Sequence, residues 1–248
     1  MAETTNKPDN SLVDILVNVI APVMILSHMS KEDGKFWHLG PVTAMCIALA
    51  LPLGFGIWHF IKNKKVNMFS FIGLIAILLT GLITIYLFYD KGSRQYVGII
   101  FGIKEAIVPL VLGTLFLFTH KSKSPLLKTF LYNDSLFDVK RIEKSVEEKS
   151  AESNYQQLLW HCSLIMFGSF CLSAAANLSL SLYLFNGLDA ALENWKVEYN
   201  EIVGKITGYG FLVIGLPFFF VMAFILYFIL KRLRAITGLD NQEILLPR

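Results

Sequence analysis

The chain has 248 residues, of which 54% are hydrophobic, and its mean hydropathy is +0.55. This composition excludes an ordinary soluble domain of this length and makes membrane-spanning helices the expected structure. The formal net charge of +3 is small, and no dense stripe of lysine and arginine is interleaved with aromatic residues, so no binding to nucleic acid is expected.

Six apolar runs predict an all-α bundle of six transmembrane helices. Each run approaches or exceeds the roughly 20 residues that a helix needs to cross a bilayer. The runs cover residues 12–29, 39–61, 67–89, 95–119, 155–185 and 202–230. We therefore expect a single transmembrane domain over residues 1–248, in which residues 120–154 form a cytoplasmic amphipathic linker.

The fourth run contains two adjacent charged residues, Lys104 and Glu105, followed by Pro109. A charge at the bilayer centre costs roughly 2.5–3.5 kcal/mol on insertion scales, so other helices must surround this one. Adjacent residues point about 100° apart around a helix, and the two side chains are therefore expected to face different neighbours.

Two roles are open for this pair. Ionisable residues inside a membrane face the bundle interior or a wet cavity, and they often mark a route for solutes or protons. The alternative is a structural pair that holds the fourth helix against the first and fifth. In that case Lys104 and Glu105 would bond to Asn18, to Asn177 or to backbone carbonyls freed near Pro109.

The first and fourth runs share a local pattern, which suggests an inverted repeat of three helices. Asn18 precedes Pro22 by four residues, just as Glu105 precedes Pro109. Transporters often place a site where two such proline-broken helices of opposite direction meet. Together with Asn177, these residues form a candidate translocation or helix-contact site.

The distribution of basic residues predicts that both termini are cytoplasmic. Apart from Lys104, 15 lysines and arginines fall on the side that contains the N-terminus and residues 120–154, against 6 on the other side. Positively charged loops remain in the cytoplasm, so this bias sets the orientation. No cleavable signal peptide is expected, because the first ten residues are polar and no small-residue cleavage site follows.

The linker is expected to contain two short helices. Residues 125–131 are typical of an interfacial helix, and residues 135–138 resemble a capping box that opens a second helix. Val139, Ile142 and Val146 give that second helix an apolar stripe. It is interpreted as a surface helix lying against the bundle, with a docking element for a cytoplasmic partner as the alternative.

The sequence predicts no enzyme, no cofactor and no metal site. His59, His120 and His161 fall near cytoplasmic helix ends, but no HxxxH or HExxH spacing connects them. The three cysteines are scattered, which argues against a disulfide framework. No catalytic fingerprint is present. The motifs Gly98xxxGly102, Ser169xxxSer173 and Gly204xxxGly208 allow close helix contact, either within one chain or in a homodimer.

Several short motifs occur in order over residues 10–240. They are LGP at 39–41, LPLG at 51–54, IKEA at 103–106, SPLLK at 124–128, LFDV at 136–139, SAAAN at 173–177 and WKVEY at 195–199. In this order and spacing, the chain resembles the bacterial intracellular septation protein A family, and more closely its uncharacterised six-helix relatives. The resemblance implies an inner-membrane protein connected with cell division and envelope maintenance, and it brings no catalytic or ligand residues.

Two functions follow as hypotheses. The first is a non-enzymatic protein of the bacterial inner membrane that supports septation or envelope maintenance through division or envelope-synthesis partners. The alternative is a small-solute or proton-coupled transporter or channel that uses Lys104 and Glu105 in the bundle interior.

Overall fold

The structure is a computed structural model that describes residues 16–63, 68–122, 125–130, 132, 136–189 and 191–246. Most of these residues are helical, and none of them belongs to a strand; a single isolated bridge joins Phe137 to Leu245. The predicted all-α class is confirmed.

The helices are numbered in chain order. They are α1 (Ala21–His28), α2 (Pro41–Asn63), α3 (Met68–Tyr89), α4 (Val97–Phe118), α5 (Leu126–Phe130), α6 (Val139–Glu148), α7 (Glu152–Phe185), α8 (Trp195–Gly210), α9 (Leu216–Thr237) and α10 (Asn241–Ile244). Two π-helical segments, Leu16–Ile20 and Phe211–Gly215, lead directly into α1 and α9.

Among the described residues, four helical segments are long and apolar enough to cross a membrane. These are Pro41–Lys62, Arg94–Phe118, Glu152–Phe185 and Leu216–Thr237. At 1.5 Å per residue, the shortest of them is about 33 Å long, which matches the roughly 30 Å hydrocarbon core of a bilayer. Two shorter apolar segments, Leu16–His28 and Ile75–Tyr89, lie within the predicted runs 12–29 and 67–89.

The last helical region extends beyond its predicted bounds of 202–230. Helix α8 begins at Trp195, and α9 continues to Thr237. The early start follows from packing, because Trp195, Tyr199 and Ile206 recur at helical spacing on one face and are buried. Polar residues between them lower the local hydropathy, so a hydropathy criterion alone does not detect this part of the helix.

The chain folds into two compact units. The first unit comprises the described parts of residues 1–105 and residues 178–212. Its core is rich in aromatic side chains, with Tyr199 packed among Phe88, Phe101 and Phe185 at ring-centroid distances of 5.3–6.3 Å. Aromatic pairs at such distances favour offset or edge-to-face arrangements and stabilise beyond the area they bury.

The second unit comprises the described parts of residues 106–177 and 213–248. In it, α4 and α7 approach so closely at Gly113 that a Cβ atom there would lie 2.8 Å from Cβ of Phe170. Phe116 and Phe170 pack with a centroid distance of 5.7 Å. Ile225 and Leu233 of α9 are fully buried and contribute apolar side chains to this core.

Helix α6 of the linker packs on its own unit through one face. Ile142 and Val146 are buried, and Ser145 donates a 3.0 Å hydrogen bond to the Thr237 carbonyl. The N-cap of α6 is Asp138, whose carboxylate accepts from the Arg141 N–H. The predicted capping box assigned that role to Ser135, which lies outside the described residues; Asp138 instead satisfies a free N–H of the first turn.

Candidate functional site

Lys104 is held by a closed set of protein contacts in the first unit. Its Nζ donates a 2.9 Å hydrogen bond to Thr80 Oγ1 and a second hydrogen bond to Glu105 Oε1. The ammonium also lies 4.2 Å from the centroid of the Phe101 ring. The Lys104 side chain is only 6% exposed, whereas that of Glu105 is 31% exposed.

This arrangement corrects the expectation that the two charged side chains face different neighbours. Long side chains can turn back along the helix surface, and here the lysine bends toward the carboxylate of the next residue. The ion pair lowers the cost of burying each charge, and the Phe101 ring adds an attraction of about 1–2 kcal/mol for a desolvated cation.

The side chains expected from the sequence to bond to Lys104, Asn18 and Asn177, are not its hydrogen-bond partners in the structure. Asn18 is exposed in the π-helical segment. The Asn177 amide donates a 3.0 Å hydrogen bond to the Ser173 carbonyl in its own helix. A polar side chain in a helix readily satisfies itself in this way, which leaves Thr80 as the neighbour available to Lys104.

Thr80 is oriented for this contact by its own helix, α3. Its hydroxyl donates to the Ala76 carbonyl at 2.9 Å, so the oxygen presents its lone pairs to Lys104. One turn later, the Thr84 hydroxyl donates to the Thr80 carbonyl at 2.8 Å. Two threonines at i and i+4 thus form a polar strip on one face of an apolar helix.

The strip continues to Tyr199 of α8. The Tyr199 hydroxyl lies 3.0 Å from Thr84 Oγ1. Since the Thr84 hydroxyl already donates to a carbonyl, the tyrosine is the donor. Both residues are buried, so the bond replaces water that neither group can reach.

A second buried polar contact joins Asn200 to two segments of the same unit. Its amide nitrogen donates to Ser30 Oγ at 3.0 Å and to the Pro41 carbonyl at 2.6 Å. Asn200 and Ser30 are both buried. The contact therefore fixes α8 against the start of α2 and the residues that follow α1.

The two halves of the suggested repeat have different local backbones. Asn18 lies in a π-helical segment, and Pro22 follows within the first turn of α1. Glu105 and Pro109 lie inside the continuous helix α4. Both prolines are buried. A proline lacks an N–H and crowds the carbonyl four residues earlier, and a widened turn is one way to relieve this.

Small residues serve close packing within the chain. A Cβ atom at Gly102 would lie 2.7 Å from Leu178 Cδ1, and one at Gly98 would lie 3.2 Å from Phe185 Cβ, so α4 contacts α7 here. A Cβ atom at Gly204 would lie 3.1 Å from Ser27 Oγ. The glycine motifs at 98–102 and 204–208 thus allow helix contact inside one subunit.

The histidines have individual environments. The His120 ring contacts that of Trp160 in a tilted arrangement with a centroid distance of 4.4 Å, and its Nδ1 lies 2.8 Å from the Leu117 carbonyl. The side chain of His59 lies outside the described part of the chain. No group of three metal-binding side chains occurs among the described residues.

Two carboxylates outside the apolar segments have shifted acidities. The hydrogen bond from His38 lowers the pKa of Asp33, and the hydrogen bond from the Ser93 hydroxyl lowers that of Asp90. In the linker, burial lowers the pKa of Lys128, but its 2.7 Å hydrogen bond to Glu143 has the opposite effect, and the net result is a raised pKa. All three groups are thus ionised near neutral pH.

Three residues with buried polar contacts were not predicted from the sequence: Thr84, Tyr199 and Asn200. Tyr199 and Asn200 lie before the predicted start of the last span. The spacing of Trp195, Tyr199 and Ile206 is the signal that could have revealed them, because it marks an amphipathic helix rather than a loop.

No protein-family model, curated protein or solved structure matches the chain. Over the part of the chain that the structure describes, fold and site define an all-helical protein with four helices long and apolar enough to span a membrane. One of these helices contains a Lys–Glu pair whose lysine is buried.

Proposed function

We propose that the chain is a six-span protein of the bacterial inner membrane with both termini in the cytoplasm. Four segments meet the length and hydropathy of a membrane span, and the shorter segments Leu16–His28 and Ile75–Tyr89 supply the other two. The excess of lysine and arginine on one side supports this orientation.

We further propose that the protein supports septation or envelope maintenance through protein partners and has no catalytic activity of its own. The observation that carries this proposal is the closed environment of Lys104. A solute route requires polar groups that exchange partners, whereas this ammonium is bonded to Thr80 and Glu105 and covered by Phe101. Such a pair fixes helix positions in a scaffold.

The resemblance to the septation protein A family supports the envelope role, and the linker offers a surface for a partner. Helix α6 buries one face and exposes charged side chains on the other, among them Lys140, Lys144 and Glu147. Division or envelope-synthesis proteins, or a second copy of this chain, are the partners that the proposal names.

The test is deletion followed by complementation. Cells lacking the protein are expected to show altered length or width and raised sensitivity to inhibitors of wall synthesis, and the wild-type chain should restore both. A deletion strain with normal shape and normal sensitivity would contradict the proposal.

Partner binding is tested by crosslinking in intact cells. The double variant Lys140→Glu, Lys144→Glu should lose crosslinks to division or envelope-synthesis proteins, because two charges on the exposed face of α6 are reversed. Lys121→Glu, an exposed cation outside α6, is the matched control. Equal crosslinking by both variants would rule out α6 as the docking surface.

A second candidate function is proton-coupled or small-solute transport. It is favoured by the partial exposure of Glu105, which leaves one carboxylate of the pair within reach of water or solute. Under this proposal the first three and last three spans form an inverted repeat, and the proline-containing helices at Pro22 and Pro109 flank the route.

Transport is tested with purified protein in liposomes under a pH gradient. A flux that depends on the protein and disappears in Lys104→Ala would support it. Proton and solute leak no greater than in empty liposomes would contradict it and leave the partner-binding role.

A further inference from the structure

A cavity of about 650 Å³ lies in the second unit, between the first turns of α7 and the last turns of α9. Its lining combines basic and amide side chains with apolar ones. The polar contributors are Lys149, Asn154, Gln157, His161 and Arg232.

The cavity has an unbalanced positive charge. Among the described residues that line it, none is an aspartate or a glutamate. Lys149 and Arg232 form no ion pair with a carboxylate among the described residues, although exposed cations elsewhere in this unit do, such as Arg141 with Glu243. Two unpaired cations facing one cavity raise the local concentration of anions.

Each cation has an identified neighbour. The Arg232 guanidinium lies 5.6 Å from the centroid of the Phe228 ring, one turn earlier on α9. The Lys149 ammonium lies against Gly238, the left-handed residue that ends α9. Carbonyl groups at a helix C-terminus carry partial negative charge, so they favour a cation there.

The apolar part of the lining includes Leu158, Phe228 and Ile236, of which Leu158 is buried. Helices α7 and α9 are both candidate membrane spans, and the cavity lies at the end of each. The ends of membrane spans lie at the depth of lipid headgroups. A ligand that matches this lining has an anionic head and an apolar tail.

We propose that this cavity is a binding site for an anionic phospholipid. Lys149 and Arg232 contact the headgroup phosphate, and the amides of Asn154 and Gln157 donate to its oxygens. The first part of an acyl chain lies along Phe228. Basic recesses between membrane helices recognise acidic headgroups in this way.

The test uses the full-length protein in phosphatidylcholine nanodiscs, with phosphatidylglycerol added in steps and bound lipid counted by native mass spectrometry. Saturable binding of phosphatidylglycerol is expected. Each juxtamembrane cation contributes about 1 kcal/mol, so Arg232→Gln and Lys149→Gln should each weaken binding about fivefold, and together about 25-fold.

Lys231→Gln is the matched control, because it removes one charge from the neighbouring exposed position of α9 and does not line the cavity. It should change affinity less than twofold, and Arg232→Lys should also retain binding. The melting temperature of each variant in phosphatidylcholine alone verifies that it folds.

Three outcomes would overturn the proposal. The first is an equal loss in Lys231→Gln and Arg232→Gln, which would indicate diffuse surface charge. The second is equal binding of phosphatidylcholine and phosphatidylglycerol. The third is displacement of the lipid by inorganic phosphate at a comparable concentration, which would identify a site for a soluble anion.

Discussion

The two units stabilise their helices by different means. In the first unit, buried polar groups contact polar neighbours inside an aromatic core: Lys104 with the partly buried Thr80 and Glu105, and Thr84 with Tyr199. In the second unit, the buried side chains of α9 are apolar apart from Thr237, and the ion pair of Arg141 with Glu243 lies at the surface.

Apolar and buried polar contacts differ in how specifically they fix the relative positions of helices. Apolar contacts tolerate small shifts, because any well-packed neighbour provides similar energy. A buried ammonium or hydroxyl has only a few acceptable partners, so it fixes one relative position of its helices. We therefore expect the first unit to respond sharply to the loss of single polar partners and the second unit to respond to lost volume.

The largest effect is expected for Glu105→Gln. The variant leaves the Lys104 ammonium buried without its carboxylate, which should destabilise the protein by about 3 kcal/mol, the lower end of the range for a broken buried pair. The double variant Lys104→Met, Glu105→Gln removes both charges and should recover most of this loss. Unfolding in mixed micelles measures all three proteins.

The exposed pair of Lys205 and Glu201, at 2.8 Å, is the matched control. Glu201→Gln should cost less than about 1 kcal/mol, because both side chains are close to half exposed. Equal costs at Glu105 and Glu201 would remove the distinction between a buried and a surface pair.

The second unit is probed by Ile142→Ala in α6. Ile142 is fully buried in a helix at the edge of its unit, so the lost volume should cost about 2 kcal/mol. Amide hydrogen exchange should rise in α6 and α10 and remain unchanged in α3. Lys140→Ala on the exposed face of α6 is the control, and a similar rise there would refute the packing role of Ile142.

A smaller effect is expected for Tyr199→Phe, which removes one buried hydrogen bond worth about 1 kcal/mol. The same substitution at Tyr183, which is exposed, should be neutral. In a double-mutant cycle, Tyr199→Phe should show no further cost once Thr84 is valine. Additive losses at the two positions would argue against the hydrogen bond between them.

The smallest effect is expected for the loss of folding stability at acid pH. The pKa of Asp90 is lowered by its hydrogen bond from Ser93, so its contribution to stability is present above pH 3.8 and is lost as the pH falls through the lowered value. Between about pH 5 and about pH 3, Asp90→Asn and Ser93→Ala should therefore lose less stability than the wild type. Identical pH profiles would contradict this assignment.

The apolar segments were predictable because each is a local property of the sequence. Runs of apolar residues located α2, α4 and α7 to within a few residues. Of the charged pair expected to need shielding, Lys104 is buried by protein, whereas Glu105 is 31% exposed. That a charge inside a membrane span must be shielded follows from its cost in hydrocarbon alone, so it can be predicted without knowing the partner residue.

The partners themselves were not predictable, because they are distant in sequence. Thr80 lies 24 residues before Lys104, and Tyr199 lies 115 residues after Thr84. The local sequence around each of these residues does not specify which face of its helix packs against which neighbouring helix. The turn of Lys104 toward Glu105 also depends on side-chain torsions, which residue spacing alone does not fix.

The burial of Lys104 is tested most directly by its reactivity toward a water-soluble acetylating reagent. The full-length protein in nanodiscs is treated briefly, and the modified lysines are located by mass spectrometry. Lys104 should remain unmodified while the exposed Lys91 is acetylated. Acetylation of Lys104 at a rate similar to that of Lys91 would contradict the closed ion pair and favour a water-filled route.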